Sequence, residues 1–274
     1  IENSNLQDYE CILITGTSLA AEPSRSSVLY ALELAKEKNI PVIMDIDYRP
    51  YTWESAAKAK QIYNLACDYC SGIIGNDDEF AVLSGSYNEG LDYAKKLSTN
   101  CDLVIYKMGE KGSITFANNE EITKGIFPVK PLKPTGAGDA FMGSLIGALF
   151  KNYDLQRAIE ISSAAAAIVV TKVGCAPAMP DLDEVLDFMK NKLRHAKSGF
   201  YIPTSVNHDV IVYGLHGGAE WPGATIYRDT NSANLIIPSN KTPWILRLNY
   251  QEKKYLDIYD SEYLKEAFSF ALSV

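Results

Sequence analysis

Along the first part of the chain the apolar positions switch repeatedly between two periods. Residues 11–15 (CILIT), 41–46 (PVIMDI), 72–75 (GIIG) and 103–107 (LVIYK) are short runs that are apolar almost throughout. Their length and β-branched content predict strands buried on both faces. Between them lie stretches of helical period. Residues 24–38 place Val28, Leu29, Leu32 and Ala35 on one face with Ser24 as the expected cap, and 54–69 carries a second such stripe. Residues 113–117 pair naturally with 103–107, and three further helices are predicted over 138–149, 155–171 and 182–195. Strands alternating with helices of this length predict βαβ units. The expected fold is therefore α/β, a mostly parallel sheet flanked by helices.

The texture changes near residue 198. Extended runs at 209–213, 234–238 and 244–249 are separated by Gly217-Gly218, Pro222-Gly223 and Asn240, and a last helical stretch covers 261–272. Two segments are expected on this pattern, 1–197 as an α/β domain and 198–274 as a short β-rich piece.

Composition narrows the function classes. The chain has 274 residues, 47% of them apolar and 22% charged, with a net charge of −8. The acidic balance and the lack of a Lys/Arg cluster argue against a nucleic-acid partner. No apolar run approaches the ~18 residues of a spanning helix, so no membrane partner is expected. Five cysteines are too scattered for a disulfide scaffold. Cys67 and Cys70 form a lone CxxC with no second half, better read as two residues at the end of a helix than as a zinc or redox site. A reducing cytoplasm fits this usage. The first residue is Ile rather than Met, which places the natural start further upstream.

Chemistry concentrates at Pro134-Thr135-Gly136-Ala137-Gly138-Asp139-Ala140-Phe141, just ahead of a predicted helix. Small residues let backbone approach an anion, and consecutive amides at a helix start favour negative charge. Asp139 at that start could take a proton from an attacking hydroxyl, the pairing that phosphoryl transfer needs. A glycine-rich turn with an Asp that merely suits the helix dipole is the competing reading. No Gly-Lys-Ser/Thr follows, so this is not a Walker loop. Gly75-Asn76-Asp77-Asp78-Glu79 follows a strand and opens a helix. Asn76 and Glu79, three apart, could hold Mg2+ through water or form a capping box. Lys107-Met108-Gly109-Glu110-Lys111-Gly112 turns between two strands, and its glycines could admit a nucleotide.

Taken in this order, the blocks NDDE, KMGEKG and GAGDAF, then the small-residue patch Ser163-Ala164-Ala165-Ala166-Ala167 and Val173-Gly174-Cys175, resemble the C-terminal part of the ribokinase-like, PfkB-type carbohydrate kinases. The segment Asp45-Ile46-Asp47-Tyr48-Arg49-Pro50-Tyr51-Thr52-Trp53 is similar to the inositol-catabolism branch, the 5-dehydro-2-deoxygluconokinases. The resemblance covers roughly residues 1–195. It implies a ribokinase-like sheet and transfer of the γ-phosphoryl of ATP, with Mg2+, to a primary hydroxyl of a keto-sugar acid. It further implies Asp139 as catalytic base and Gly136, Ala137 and Gly138 as anion hole. Asn76 and Glu79 would organise Mg2+ and phosphate, and Lys107, Gly109 and Gly112 would line the nucleotide with Ser163 near the adenine. Asp45, Asp47 and Arg49 would stand between substrate and phosphates. For an intact member the resemblance also leaves room for a homodimer, which in the family often pairs through the lid.

Two departures qualify these expectations. Lys133 stands where relatives often carry an acidic residue linked to a monovalent cation, which argues against a cation requirement. The family's N-terminal Gly-Gly segment and β lid are not in this sequence. On that ground the chain is expected to keep the nucleotide half, to bind ATP weakly and to turn over little, so that a non-catalytic nucleotide-binding module is the alternative. The tail resembles something else. Gly217-Gly218-Ala219-Glu220-Trp221 and Pro243-Trp244-Ile245-Leu246 look like one blade of the quinone-dependent dehydrogenase propellers. One blade cannot bury its faces alone, so no quinone activity is expected. His208 and His216 lack ligand spacing and read as surface residues.

Overall fold

The computed structural model describes residues 6–194 and, beyond them, the backbone of five short strands. The first unit of the chain, Ile1–Pro180, is built on one sheet. In chain order its elements are β1 (Ile12–Thr15), α1 (Ser24–Glu37), β2 (Val42–Asp45), α2 (Ala56–Cys67), β3 (Gly72–Asn76), α3 (Asp77–Ser84), α4 (Gly90–Leu97), β4 (Leu103–Lys107), β5 (Ser113–Ala117), β6 (Glu120–Lys124), α5 (Ala137–Phe150) and α6 (Leu155–Val170). The strands lie side by side in sequence order. The pairs from β1 to β4 are parallel, and β5 and β6 add antiparallel to that edge. Flanking helices complete an α/β fold on a mostly parallel sheet, as the apolar runs predict.

The physical reasons are local. β2 and β3 are buried along most of their length, which is why they read as unbroken apolar runs rather than alternating ones. Parallel neighbours need a crossover, and α1, α2 and the pair α3–α4 supply it. The antiparallel additions need only turns. Asn118 and Asn119 join β5 to β6 with φ of 52° and 62°, the positive values that a two-residue hairpin demands and that Asn tolerates. The sequence reading misses β6 because an edge strand of Glu, Thr and Lys with mostly solvated side chains carries no apolar alternation. It also misses α4, only eight residues long.

One expectation is corrected. Ser24 does not cap α1; it is the first helical residue, behind Pro23. The exposed Glu22 carboxylate takes the capping role, accepting from the Ser26 amide at 3.1 Å and its hydroxyl at 2.6 Å. Those hydrogen bonds hold the Glu22 carboxyl below its usual range. The cap of α2 is Ser55, whose hydroxyl accepts from the Lys58 amide, and that of α6 is Asp154, which accepts from Arg157.

The core of this unit gathers Leu19, Leu32, Met44, Ile46, Ile73, Phe80 and Leu83, all without exposed surface. Trp53 and Tyr63 meet edge to face at 5.0 Å between ring centroids. Cys67, Cys70 and Cys101 are buried free thiols. Burial pushes the Cys70 thiol up to about 12 and that of Cys101 to about 11, and lifts Cys67 as well. They behave as small apolar side chains, in keeping with the reading of the CxxC.

The second unit, Asp181–Val274, opens with α7 (Leu182–Arg194). Its described strands are β7 (Lys197–Ser198), β8 (Val210–Tyr213), β9 (Thr225–Arg228), β10 (Ala233–Ile236) and β11 (Pro243–Leu246). β9 and β10 pair antiparallel, as do β8 and β11, while β7 runs parallel to β8. The change of texture near residue 198 thus lies inside the second unit. The expected helix at 261–272, His208, His216 and the Gly217-Gly218-Ala219-Glu220-Trp221 stretch lie outside the described residues. Among the described residues no helix is long and apolar enough to cross a membrane.

The turn between β4 and β5 yields a test of the fold. Gly112 has a φ of 89°, and a Cβ there would fall 2.0 Å from the Lys124 carbonyl oxygen. Gly112→Ala must therefore both strain the backbone and push β6 away. It is expected to cost at least ~2 kcal/mol of stability, read from the denaturant midpoint. An unchanged midpoint would contradict this packing.

Candidate active site

Parallel strands end on one side of the sheet, and the residues just past those ends face a common crevice. Here β2 ends at Asp45, β3 at Asn76 and β4 at Lys107. Asn76 and Lys107 are partners in register across β3 and β4. Three of the sequence-predicted residues therefore come together through strand pairing alone.

Asn76 caps α3 in a complete capping box. Its side-chain oxygen accepts from the Glu79 amide at 2.8 Å, and Glu79 Oε2 accepts from the Asn76 amide at 2.7 Å. The second oxygen of Glu79 is also occupied: Oε1 accepts from the Tyr48 amide at 3.3 Å. This buried carboxylate joins the β3–α3 corner to the segment that follows β2. Burial raises its pKa, while the Asn76 amide and the Lys107 charge work the other way. Each Glu79 oxygen thus accepts one amide, which fixes the carboxylate in place. The sequence leaves cap and metal roles open; the geometry builds the cap.

Asp45 is the complement. It is only 9% exposed, and its carboxylate makes no hydrogen bond among the described residues. Burial raises its pKa, Lys107 opposes the shift, and the charges of Asp47 and Asp139 reinforce it. Asp47 is already engaged. Its Oδ2 accepts from Thr17 at 3.1 Å and its Oδ1 pairs with Arg49 Nη2 at 2.6 Å. Asp47 takes a φ of 37°, which turns the chain out of β2 toward Tyr48 and Arg49. Thr17 has no motif signal and enters the site only through the fold.

The start of α5 faces this edge. Gly136 is its N-cap, with a φ of 90° that an L side chain rarely adopts, and it is backed by Val169 of α6 and by Cys175. Of the three expected anion-hole amides, that of Ala137 donates to the Pro134 carbonyl at a long 3.3 Å. The amides of Gly136 and Gly138, and that of Asp139 itself, have no acceptor among the described residues. Asp139 lies on the first turn and is exposed to solvent. Lys133 is fixed nearby. Its amide donates to the Val170 carbonyl at 3.0 Å, and its Nζ stands 3.9 Å from Cys175 Sγ.

The remaining predicted residues form a separate wall. Gly112 presses on Lys124 and Gly125, and Ser163 on α6 donates to the Gly125 carbonyl at 3.4 Å. Gly109, with a φ of 57°, has open space around it. Gly112 and Ser163, 51 positions apart in sequence, thus meet across Gly125, a residue the motif reading does not single out. The donor set suits Mg2+ bound through phosphate and water. It offers one free buried carboxylate, and among the described residues no group of three or more His, Cys, Asp or Glu could cage an ion alone.

Comparison with known proteins gives the family. Residues 1–182 match the family described as pfkB family carbohydrate kinase. The 5-dehydro-2-deoxygluconokinase of Geobacillus thermodenitrificans (strain NG80-2) is 35% identical over 196 residues, 70% of this chain and 58% of that protein. That of Geobacillus kaustophilus (strain HTA426) is 36% identical over 195 residues, 69% of this chain and 58% of the relative. Aminoimidazole riboside kinase from Salmonella enterica, solved with aminoimidazole riboside and an ATP analog, superposes with a TM-score of 0.60 at 26% identity, covering 66% of this chain and 63% of its own. The chain therefore spans somewhat under two thirds of the length of these proteins. None of these kinases lends support to the propeller resemblance of the tail.

The unpaired Asp45 should leave a mark on stability. A carboxyl raised in the folded state keeps its proton when the unfolded chain has lost it, so its contribution to stability fades as pH climbs above the usual 3.8. Asp45→Asn is accordingly expected to raise the melting temperature at pH 7, by an equivalent of about 1 kcal/mol. The gain should vanish below the unfolded carboxyl range. A loss of stability at pH 7 would mean that Asp45 is held by a partner.

Proposed function

The chain belongs to the pfkB family of carbohydrate kinases, and from that premise we propose that it serves an ATP-dependent sugar kinase acting on a keto-sugar acid. The proposed reaction moves the γ-phosphoryl of ATP to a primary hydroxyl of 5-dehydro-2-deoxygluconate, the substrate class in the names of the curated relatives. The observation that carries this reading is the first turn of α5. A solvent-facing Asp139 stands there beside the Gly136 and Gly138 amides, which have no acceptor among the described residues.

On this reading the amides of Gly136 and Gly138 hold the oxygens of the terminal phosphate, and the Ala137 amide joins them by releasing its long bond to Pro134. Asp139 accepts the proton of the sugar hydroxyl as oxygen attacks phosphorus, and ADP departs with the electron pair of the broken P–O bond. Glu79 and Asn76 position the end of β3, and Asp45 offers its free carboxylate to a hydrated Mg2+. When bound, that ion supplies charge neutralisation of the phosphates. Arg49, tied to Asp47 and half exposed, sits where a substrate carboxylate or phosphate could exchange with its partner. Gly109, Gly112 and Ser163 line the nucleotide.

The test is a pair of measurements on wild type and Asp139→Asn. Mg-ATP is expected to raise the melting temperature of both. Slow ADP release that depends on the sugar acid is expected for wild type, reduced by about a further 100-fold in Asp139→Asn. Absence of any thermal shift with Mg-ATP would overturn nucleotide binding. Equal turnover by the two proteins would overturn the role of Asp139.

A further inference from the structure

Behind the start of α5 an amine meets a thiol, and the reaction proposed above uses neither side chain. Lys133 Nζ stands 3.9 Å from Cys175 Sγ, across 42 positions of chain. Backbone holds both ends. The Leu132 and Lys133 amides share the Val170 carbonyl, at 2.7 Å and 3.0 Å. The Cys175 carbonyl accepts from the Ala178 amide at 3.0 Å, closing a short helical turn over Ala176–Ala178. Both residues are half-buried, so a small solute reaches the pair.

The other cysteines are placed differently. Cys70 and Cys101 are buried and donate to the carbonyls of Ala66 and Cys70, at 3.2 Å and 3.3 Å. Cys67 is buried with them, and Cys11 faces the Ile12 carbonyl at 3.7 Å. Cys175 thus combines access with a side-chain nitrogen in reach. A peroxide turns a thiol into a sulfenic acid, and a neighbouring nitrogen captures the sulfenic sulfur as a sulfenamide, ahead of irreversible oxidation. The pair also borders the proposed phosphate site. A Cβ built on Gly136 would lie 3.6 Å from the Cβ of Cys175, and Gly136 caps α5 with a φ of 90°. Lys133 precedes that glycine by one short turn of chain. A bond between residues 133 and 175 therefore ties down the loop that leads into the open amides of α5.

We propose that Cys175 and Lys133 form an oxidative modification site, in which hydrogen peroxide converts Cys175 to a sulfenic acid and the Lys133 amine closes on it as a reversible S–N link. In the first step the thiol sulfur attacks peroxide, the O–O bond breaks, and one water leaves. In the second the unprotonated amine attacks sulfur and the S–O bond breaks. Hydroxide departs with that electron pair and takes a proton from nitrogen as a second water. Sulfur is oxidised, peroxide is reduced, and the protein loses two hydrogens. A thiol reductant reverses the link by attacking sulfur and returning the free amine. Closing the gap from 3.9 Å to a bond moves the loop at Lys133 against the segment at Cys175, with Gly136 between them. The link itself is independent of the kinase reading. Its consequence for phosphate binding rests on that reading.

The full chain is treated with hydrogen peroxide, digested and read by mass spectrometry, with and without dithiothreitol. The expected product is one cross-linked peptide pair holding Lys133 and Cys175, lighter by two hydrogens and lost on reduction. Lys133→Arg, which keeps the charge but not the amine, is expected to give no link and to carry Cys175 on to the sulfinic acid. Wild type that shows sulfinic or sulfonic acid at Cys175 with Lys133 unmodified would overturn the proposal. So would a Cys175 that stays a free thiol while Cys11 is oxidised. The wild-type result needs no variant to fold. Melting temperatures with Mg-ATP then test the consequence. The oxidised chain is expected to lose most of the shift that the reduced chain shows, and to recover it with dithiothreitol. Equal shifts in linked and reduced chain would overturn the effect on phosphate binding. A reduced chain with no shift counts against the kinase reading, while the cross-linked peptide still decides the link.

Discussion

A single buried carboxylate, that of Glu79, holds the site in register. Its two oxygens accept the amides of Asn76 and Tyr48, so the corner between β3 and α3 is tied to the chain leaving β2. Strand pairing fixes Asp45 and Ile46 against β3, and this tie adds the Tyr48–Arg49 stretch that follows. Burying a carboxylate is costly unless hydrogen bonds and an opposite charge compensate. The amides supply the first and Lys107 the second. The capping box is thus more than a helix start, since its acid also anchors the chain that leaves β2 at Tyr48.

Around this tie the charges are left unbalanced in two directions. On one side lies Asp45, nearly buried and without a hydrogen bond, with Asp47 and Asp139 adding negative field. On the other lie the open amides of α5. The first arrangement wants a cation and the second an anion. A magnesium-bound polyphosphate would satisfy both at once, which is the physical ground of the proposed phosphoryl transfer. Such unpaired groups lower stability in the absence of ligand and pre-organise the site for it.

The extent to which the sequence could be read follows from how local each signal is. The buried parallel strands are legible because a run such as GIIG or LVIYK has few alternatives once it is flanked by helical stripes. β6 is not legible, since an exposed edge strand owes its state to pairing with β5 rather than to its own side chains. Ser24 misleads because a cap is defined by where the helix begins, and Glu22 competes for the same amides. For Asn76 and Glu79 the spacing admits two roles, and only the approach of the Tyr48 amide, 31 positions away, shows that both carboxylate oxygens accept amides.

The sequence by itself determined the α/β class, the order of the motif blocks and the helix start at Gly136-Ala137-Gly138-Asp139, because each depends on neighbours a few residues apart. Tertiary structure alone decided which charges meet. Asp45, Asn76 and Lys107 converge because parallel strands end on one edge, Gly112 and Ser163 because β6 lies between them, and Lys107 reaches Gly138 because α5 packs against that edge. Electrostatic strength depends on distance and burial in three dimensions, and neither is written in the spacing of residues along a chain.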